Sequence, residues 1–164
     1  MKISILTMFP EMLDSLLQAP IVDHACRKGI VTIEIVDIRK YAEGSFRDID
    51  DSPDGGGAGM ILRCAPVLKA LDTVKDANSC TVLCAAAGNP YTQDKAHEFA
   101  AKDHLILICG HYEGMDARVY DHVDETISIG DYIVSGGEYP AMIIADSIVR
   151  LLDGVIKKES TEDE

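Results

Sequence analysis

No stretch of this 164-residue sequence approaches the roughly 20 consecutive apolar residues needed to cross a bilayer. The opening MKISILTMFPEM is interrupted by Pro10 and Glu11 too early for a secretory core. Together these absences point away from a membrane and toward the cytoplasm. Paired cysteines are also lacking: Cys26, Cys64, Cys80, Cys84 and Cys109 are an odd number with no export signal, which excludes a disulfide framework and predicts reduced thiols. Cys80 and Cys84 have no second Cys or His pair at ligand spacing, so they read as strand cysteines, and no metal site is expected. Basic clusters are missing as well. The 15 Lys and Arg residues are scattered against 28 acids, giving a net charge of −13, and adjacent pairs occur only at Arg27-Lys28, Arg39-Lys40 and Lys157-Lys158. Strong binding to nucleic acid by this chain alone is therefore not expected, because affinity for phosphates depends on clustered cations.

What is present matches an ordinary globule, with 47% hydrophobic and 26% charged residues. The length suits a single domain. Residues 2–9 read as a buried strand ended by Pro10, 11–18 and 21–28 as helices, and VTIEIVDI from Val31 as a strand. A short helix over 68–74 follows, then a strand in TVLCAAA from Thr81, a helix over 93–102 and a strand in HLILICG from His104. The stretch YPAMIIADSIVRLLDGV reads as a helix with Pro140 in its first turn and Gly154 at its end. LILIC and TVLCAA carry almost no polar positions, as strands do when helices cover both faces. The fold class is α/β, with a mostly parallel sheet covered by helices on both faces, and ordinary chain geometry predicts an open, unknotted sheet.

Three glycine-bearing segments interrupt this pattern. DDSPDGGGAGM at 50–60 places Gly55, Gly56, Gly57 and Gly59 within five positions of a long polar stretch, but it lacks the Lys and Ser/Thr of a phosphate loop. It reads either as a surface loop or as a place where backbone approaches a ligand, a nucleotide phosphate included. CGHYEGMDARV at 109–119 follows a buried strand, where open α/β sheets bind ligands. Its His-x-Glu lacks the Pro-Cys-x-x-Cys of zinc deaminases. Tyr112 packing at a strand end and Glu113 capping a helix are equally open readings there. SIGDYIVSGGEYPA at 128–141 is a loop feeding a helix, either a binding turn or a plain connection.

Taken together, LTMFPEM at 6–12, DDSPDGGGAGM, CGHYEGMDARV and SIGDYIVSGGEYPAM at 128–142 resemble, in order, the signature segments of the bacterial tRNA (guanine-N1)-methyltransferase family, over residues 1 to about 156. The resemblance implies S-adenosylmethionine bound in a C-terminal trefoil knot, a homodimer with sites at the interface, and methylation of the tRNA guanine on the 3′ side of the anticodon. It implies a cofactor pocket lined by the strand end 83–86, with Leu83, Cys84 and Ala86 named in it, by Gly110, Tyr112 and Glu113, and by the stretch 128–137, with Ser128, Ile129, Gly130, Asp131, Tyr132, Ile133, Val134, Gly136 and Gly137 named in it. Gly55, Gly56, Gly57 and Gly59 would contact the guanine, Asp163 would be the general base, with Glu162 and Glu164 as neighbouring candidates, and Arg150 would stabilise charge on O6.

The composition leaves open a plain Asp146–Arg150 surface pair and an acidic tail around Asp163. A Mg²⁺ requirement near Glu113 is likewise open. Residues 1–156 would be the cofactor domain and 157–164 the start of a linker toward a tRNA-binding domain lying outside this chain. Asp54, Ala86 and His111 depart from the family's usual Tyr, Pro and Arg. An alternative is a non-catalytic dimeric module that binds the cofactor.

Overall fold

The computed structural model describes residues 1–42, 50–51, 61–62, 64–111 and 114–157. Five strands form one parallel sheet: β1 (Lys2–Thr7), β2 (Thr32–Asp37), β5 (Ser79–Pro90), β6 (His104–Cys109) and β7 (Glu125–Ser128), ordered β2-β1-β6-β5-β7. A two-residue pair, β3 (Asp50–Asp51) with β4 (Ile61–Leu62), is antiparallel and separate. The helices are α1 (Asp14–Gln18), α2 (Pro20–Arg27), α3 (Cys64–Val74), α4 (Gln93–Ala100) and α5 (Glu138–Val149).

Strand alternation divides the core into two layers. Ile3, Ile5, Val82, Leu105 and Leu107 face α1, α2, α4 and α5, where Leu16, Val22, Phe99, Ile144 and Ile148 meet them. Leu6, Leu83, Ile106 and Ile108 face the other way, onto Val67, Ala70 and Leu71 of α3 and Val119. All six residues of β6 are buried, which is why its sequence reads as an uninterrupted apolar run. The expected α/β architecture, with helices on both faces, is therefore present.

Several element boundaries differ from the sequence reading, each for a local reason. The first helix is divided: Pro10–Leu13 forms a 3-10 turn before α1 begins. α3 starts at Cys64, four residues before Leu68, because Cys64, Pro66 and Val67 belong to its buried face. α5 ends at Val149 instead of reaching Gly154, which adopts φ +85° in a later turn. β7 was not anticipated as a strand, being only four residues long. β5 runs on to Pro90 through a register shift in which Cys84 and Asn89 both pair with Ile127, so that residues 85–88 loop out across β7. Gly88 permits this crossing, since a Cβ there would lie 2.6 Å from the Ile127 and Thr126 backbone.

At the amino ends of the strands, Ser4 Oγ lies 2.8 Å from His104 Nε2 and His104 Nδ1 lies 2.9 Å from Asp76 Oδ2. The order Ser-His-Asp matches a hydrolytic triad, but Ser4 is fully buried and no substrate carbonyl reaches it. The three residues pin β1, β6 and the turn before β5 together.

Candidate functional site

The carboxyl ends of β5, β6 and β7 converge on a cleft with about 470 Å³ of empty space, open solvent included. Its walls are Cys84, Ala85 and Ala86 from the end of β5, Gly110 and His111 after β6, Ile127, Ser128 and Ile129 from β7 onward, then Tyr132, Ile133, Val134, Gly136, Gly137 and Pro140. Ten of the residues implied by resemblance are thereby brought together: Cys84, Ala86, Gly110, Ser128, Ile129, Tyr132, Ile133, Val134, Gly136 and Gly137. Leu83 is placed elsewhere, fully buried in the layer facing α3, because alternation along β5 turns it away from Cys84. Gly130 and Asp131 belong to the same turn without lining the cleft. Tyr112, Glu113, Gly55, Gly56, Gly57, Gly59 and Asp163 lie outside the described residues.

Main chain dominates this wall. Gly110 N–H donates to Cys84 O at 3.3 Å, Gly137 N–H donates to Gly110 O at 2.8 Å, and His111 and Gly136 form an antiparallel bridge. Close approach at these joints requires glycine. A Cβ on Gly110 would stand 2.7 Å from Cys84 O, and one on Gly137 would stand 2.5 Å from Gly110 N and 2.7 Å from Cys109 Cα. Ser128 Oγ donates to Gly130 O at 3.0 Å and accepts from Gly130 N at 3.3 Å, which closes the turn from which Tyr132 and Ile133 project at the rim.

The cleft is electrically quiet. Among the described residues that line it there is no Asp, Glu, Lys or Arg. The Cys84 thiol is pushed up to about 12, first by burial and then by the charge of Glu138 nearby, so it supplies neither a nucleophile nor a thiolate ligand. No group of three or more His, Cys, Asp and Glu among the described residues is arranged to hold a metal ion. Arg150 lies apart, at the end of α5, where its N–H donates to Asp146 O at 3.2 Å. It lines a different cavity with Ser15, Leu16, Ala19, Met142 and Ile143, none of which borders the cleft.

Ala85 also lines the cleft, within the strand end 83–86, and His111, Ile127 and Pro140 line it without being implied by the sequence. His111 carried a signal, as a departure inside a glycine segment, and Pro140 another, at the start of the helix. Ile127 carries none, since its place in the cleft depends on the register shift in β5.

Beyond the cleft, Asp116 caps the 3-10 segment Ala117–His122, accepting from Arg118 N at 3.0 Å. The Arg118 side chain, then its backbone N–H, holds the Asp116 carboxyl down to about 2. A depressed carboxyl contributes stability above its ordinary value of about 4, and that contribution is lost as pH falls through about 2. Because Arg118 is 75% exposed, the pair is discounted for solvent. Asp116→Asn is expected to cost about 1 kcal/mol at neutral pH, lowering Tm by roughly 2–4 °C. In thermal melts the gap between variant and parent should close toward pH 2.

Residues 1–164 match the family model described as tRNA (Guanine-1)-methyltransferase TrmD. The tRNA (guanine-N(1)-)-methyltransferase of Ureaplasma urealyticum is 44% identical over 165 residues, covering 100% of this chain and 72% of that protein. The enzyme of the same name from Malacoplasma penetrans is 45% identical over 164 residues, covering 100% and 73%. That from Carboxydothermus hydrogenoformans is 46% identical over 165 residues, covering 100% and 65%. With a glycine-jointed cleft at the carboxyl edge of a parallel sheet, and a match that runs from the first residue to the last, the chain belongs to the tRNA (guanine-1)-methyltransferase family.

Proposed function

We propose that this protein transfers a methyl group from S-adenosylmethionine to N1 of a tRNA guanine, the one 3′-adjacent to the anticodon, with the cofactor seated in the cleft between β5, β6 and β7. The observation that carries this reading is the composition of the cleft wall: glycine main chain at Gly110, Gly136 and Gly137 facing the apolar side chains of Ile127, Ile129, Ile133 and Val134. An adenosyl group needs apolar faces for its ring and backbone groups for its edges, and added Cβ atoms at Gly110 or Gly137 would displace the strands that form the floor. When bound, the cofactor supplies an electrophilic methyl on a sulfonium.

The chain's own residues must then remove the N1 proton of guanine and offset the charge that develops on O6. Asp163 is proposed to accept that proton and Arg150 to donate to O6, since the described cleft lining offers no charged group for either role. Gly55, Gly56, Gly57 and Gly59 are proposed to approach the guanine, and Tyr112, Glu113, Gly130 and Asp131 to complete the cofactor pocket.

The placement of Arg150 in a separate cavity supports a homodimer in which a second copy completes the site. Tyr139 and Ile143, one turn apart on α5, are about half exposed and present an apolar face suited to that contact. The knotted course is proposed for the segment after β7. Tyr91, just past the end of β5, is fastened to β7 and α5: Tyr91 N–H donates to Ser128 O at 2.8 Å, and the Tyr91 hydroxyl lies 2.7 Å from Ser147 Oγ on α5. Residues 1–156 are proposed as the cofactor domain, acting in the cytoplasm, where its tRNA substrate is found.

Transfer of label from S-adenosylmethionine to unmodified tRNA, with the product nucleoside identified as 1-methylguanosine, tests the proposal. Methylation at another atom, or of another base, would overturn it. Cofactor binding without any transfer would instead favour the non-catalytic module.

A further inference from the structure

Glu138 is the one acidic side chain buried among the described residues, 5% exposed in the first turn of α5. No Lys or Arg among those residues pairs with it. Thr7 Oγ1 donates to Glu138 Oε2 at 2.9 Å, and the same hydroxyl oxygen accepts the Phe9 N–H at 2.9 Å, so the hydroxyl proton is directed at the carboxylate. The enclosed Cys109 thiol keeps its proton, pushed well above the ordinary thiol range first by burial and then by Glu138. The other carboxylate oxygen lies behind the cleft wall, for a Cβ on Gly136 would stand 2.7 Å from Oε1.

A second cavity, of about 700 Å³ of empty volume, adjoins the cleft and shares Gly110, His111 and Gly136 with it. Met8, Phe9 and Met12 line the rest, with Ser135, Cys109 and Glu138, the only acid among the described residues that line it. Burying a carboxylate without a cation is costly, so a well-packed apolar residue would be the more stable choice if only the fold were served. Across a wall built of protein the field of a single charge is screened less than in bulk water and still reaches the neighbouring cleft.

We propose that Glu138 is an electrostatic positioning residue for the methyl donor: from the wall between the two cavities its carboxylate favours a ligand carrying a sulfonium cation over the neutral thioether left after transfer. It acts through Gly136 and Gly110 without needing to touch the ligand. Once the methyl is gone the attraction goes with it, and the spent cofactor is released in favour of a fresh one. This rests on the reading of the cleft as the S-adenosylmethionine site.

Calorimetric titration of the full chain with S-adenosylmethionine and with S-adenosylhomocysteine tests it. Glu138→Gln should shift the ratio of the two affinities roughly tenfold against the methylated form, the size expected of one unit charge acting on another through about 10 Å of protein interior. Glu138→Asp, which keeps the charge, should hold the ratio near the parent's. A purely structural role would weaken both ligands equally in both variants, and that result overturns the proposal. If Glu138→Gln does not fold, the double variant Thr7→Val with Glu138→Leu removes the hydrogen-bonded pair together, leaving only the part-buried Phe9 N–H without its acceptor. It should show the same shift in ratio, and an unchanged ratio counts against the proposal as decisively. If the parent binds neither ligand, the cofactor reading falls and this inference with it. If the parent binds both while the variants leave the ratio unchanged, this inference alone fails.

Discussion

Replacing Gly137 with alanine is expected to abolish useful cofactor binding, raising the dissociation constant roughly 100-fold and lowering Tm by roughly 6–12 °C. The steric reason is confined to backbone. A Cβ at this position would lie 2.5 Å from Gly110 N, 2.7 Å from Cys109 Cα and 2.9 Å from Cys109 C. None of those atoms is the free end of a side chain, so relief requires α5 and the end of β6 to move apart. Such movement breaks the Gly137 N–H to Gly110 O bond of 2.8 Å and the adjoining His111–Gly136 bridge, both of which shape the cleft. Forcing one methyl into a closed contact costs about 3 kcal/mol at the upper end of overpacking, which gives the fall in Tm, and returning the displaced wall to its binding geometry costs a similar amount again, which gives the loss of affinity. Gly29→Ala makes a matched comparison, since a Cβ there meets nothing within 4 Å and only its φ of +73° is strained. It should lose stability while retaining the parent's affinity for cofactor. Isothermal titration and thermal melts on the two variants read the outcome, and parent-like binding by Gly137→Ala would show that the turn does not form the cofactor wall.

The segments that form this wall were visible in the sequence as glycines placed immediately after apolar runs. Gly110 follows the wholly buried β6, and Gly136 and Gly137 precede a helix with proline in its first turn. Those signals are local: strands and helix starts announce themselves within a few residues. What stayed hidden depends on contacts between distant parts of the chain. Thr7 and Glu138 are 131 positions apart, and neither residue type in isolation signals a buried hydrogen bond. The loop-out of residues 85–88 against Ile127 places Ile127 in the cleft, but TVLCAAAGNP shows only a strand that becomes small and polar. The resemblance places Leu83 in the pocket with its neighbours as a block, whereas a period of two separates it from Cys84. The extent of α5 was misread because Gly154, a common helix terminator, lies beyond the true end at Val149.

Mixing two inactive variants should restore activity if the proposed site is shared between subunits. Arg150→Ala is expected to lower kcat by roughly 100- to 1,000-fold, the range for loss of one donor to a developing oxyanion, with little change in cofactor affinity. Gly137→Ala fails at the earlier step, because its cleft does not hold the cofactor. Within one chain Arg150 and the cleft occupy different cavities with no lining residue in common. In a two-fold dimer whose sites each combine the cleft of one copy with Arg150 of the other, co-refolding equal amounts of the variants makes half the dimers mixed. Each mixed dimer has one site with both defects and one with neither, so activity should recover to about a quarter of the parent's. If cleft and arginine instead act within the same chain, every site in the mixture carries one defect and activity stays at the level of the separate variants. Methyl transfer to tRNA, measured before and after co-refolding, therefore distinguishes an arginine supplied by the partner copy from one that acts on its own cleft. The apolar face around Tyr139 and Ile143 gives an independent handle: Ile143→Asp should prevent mixed dimers from forming and abolish the recovery.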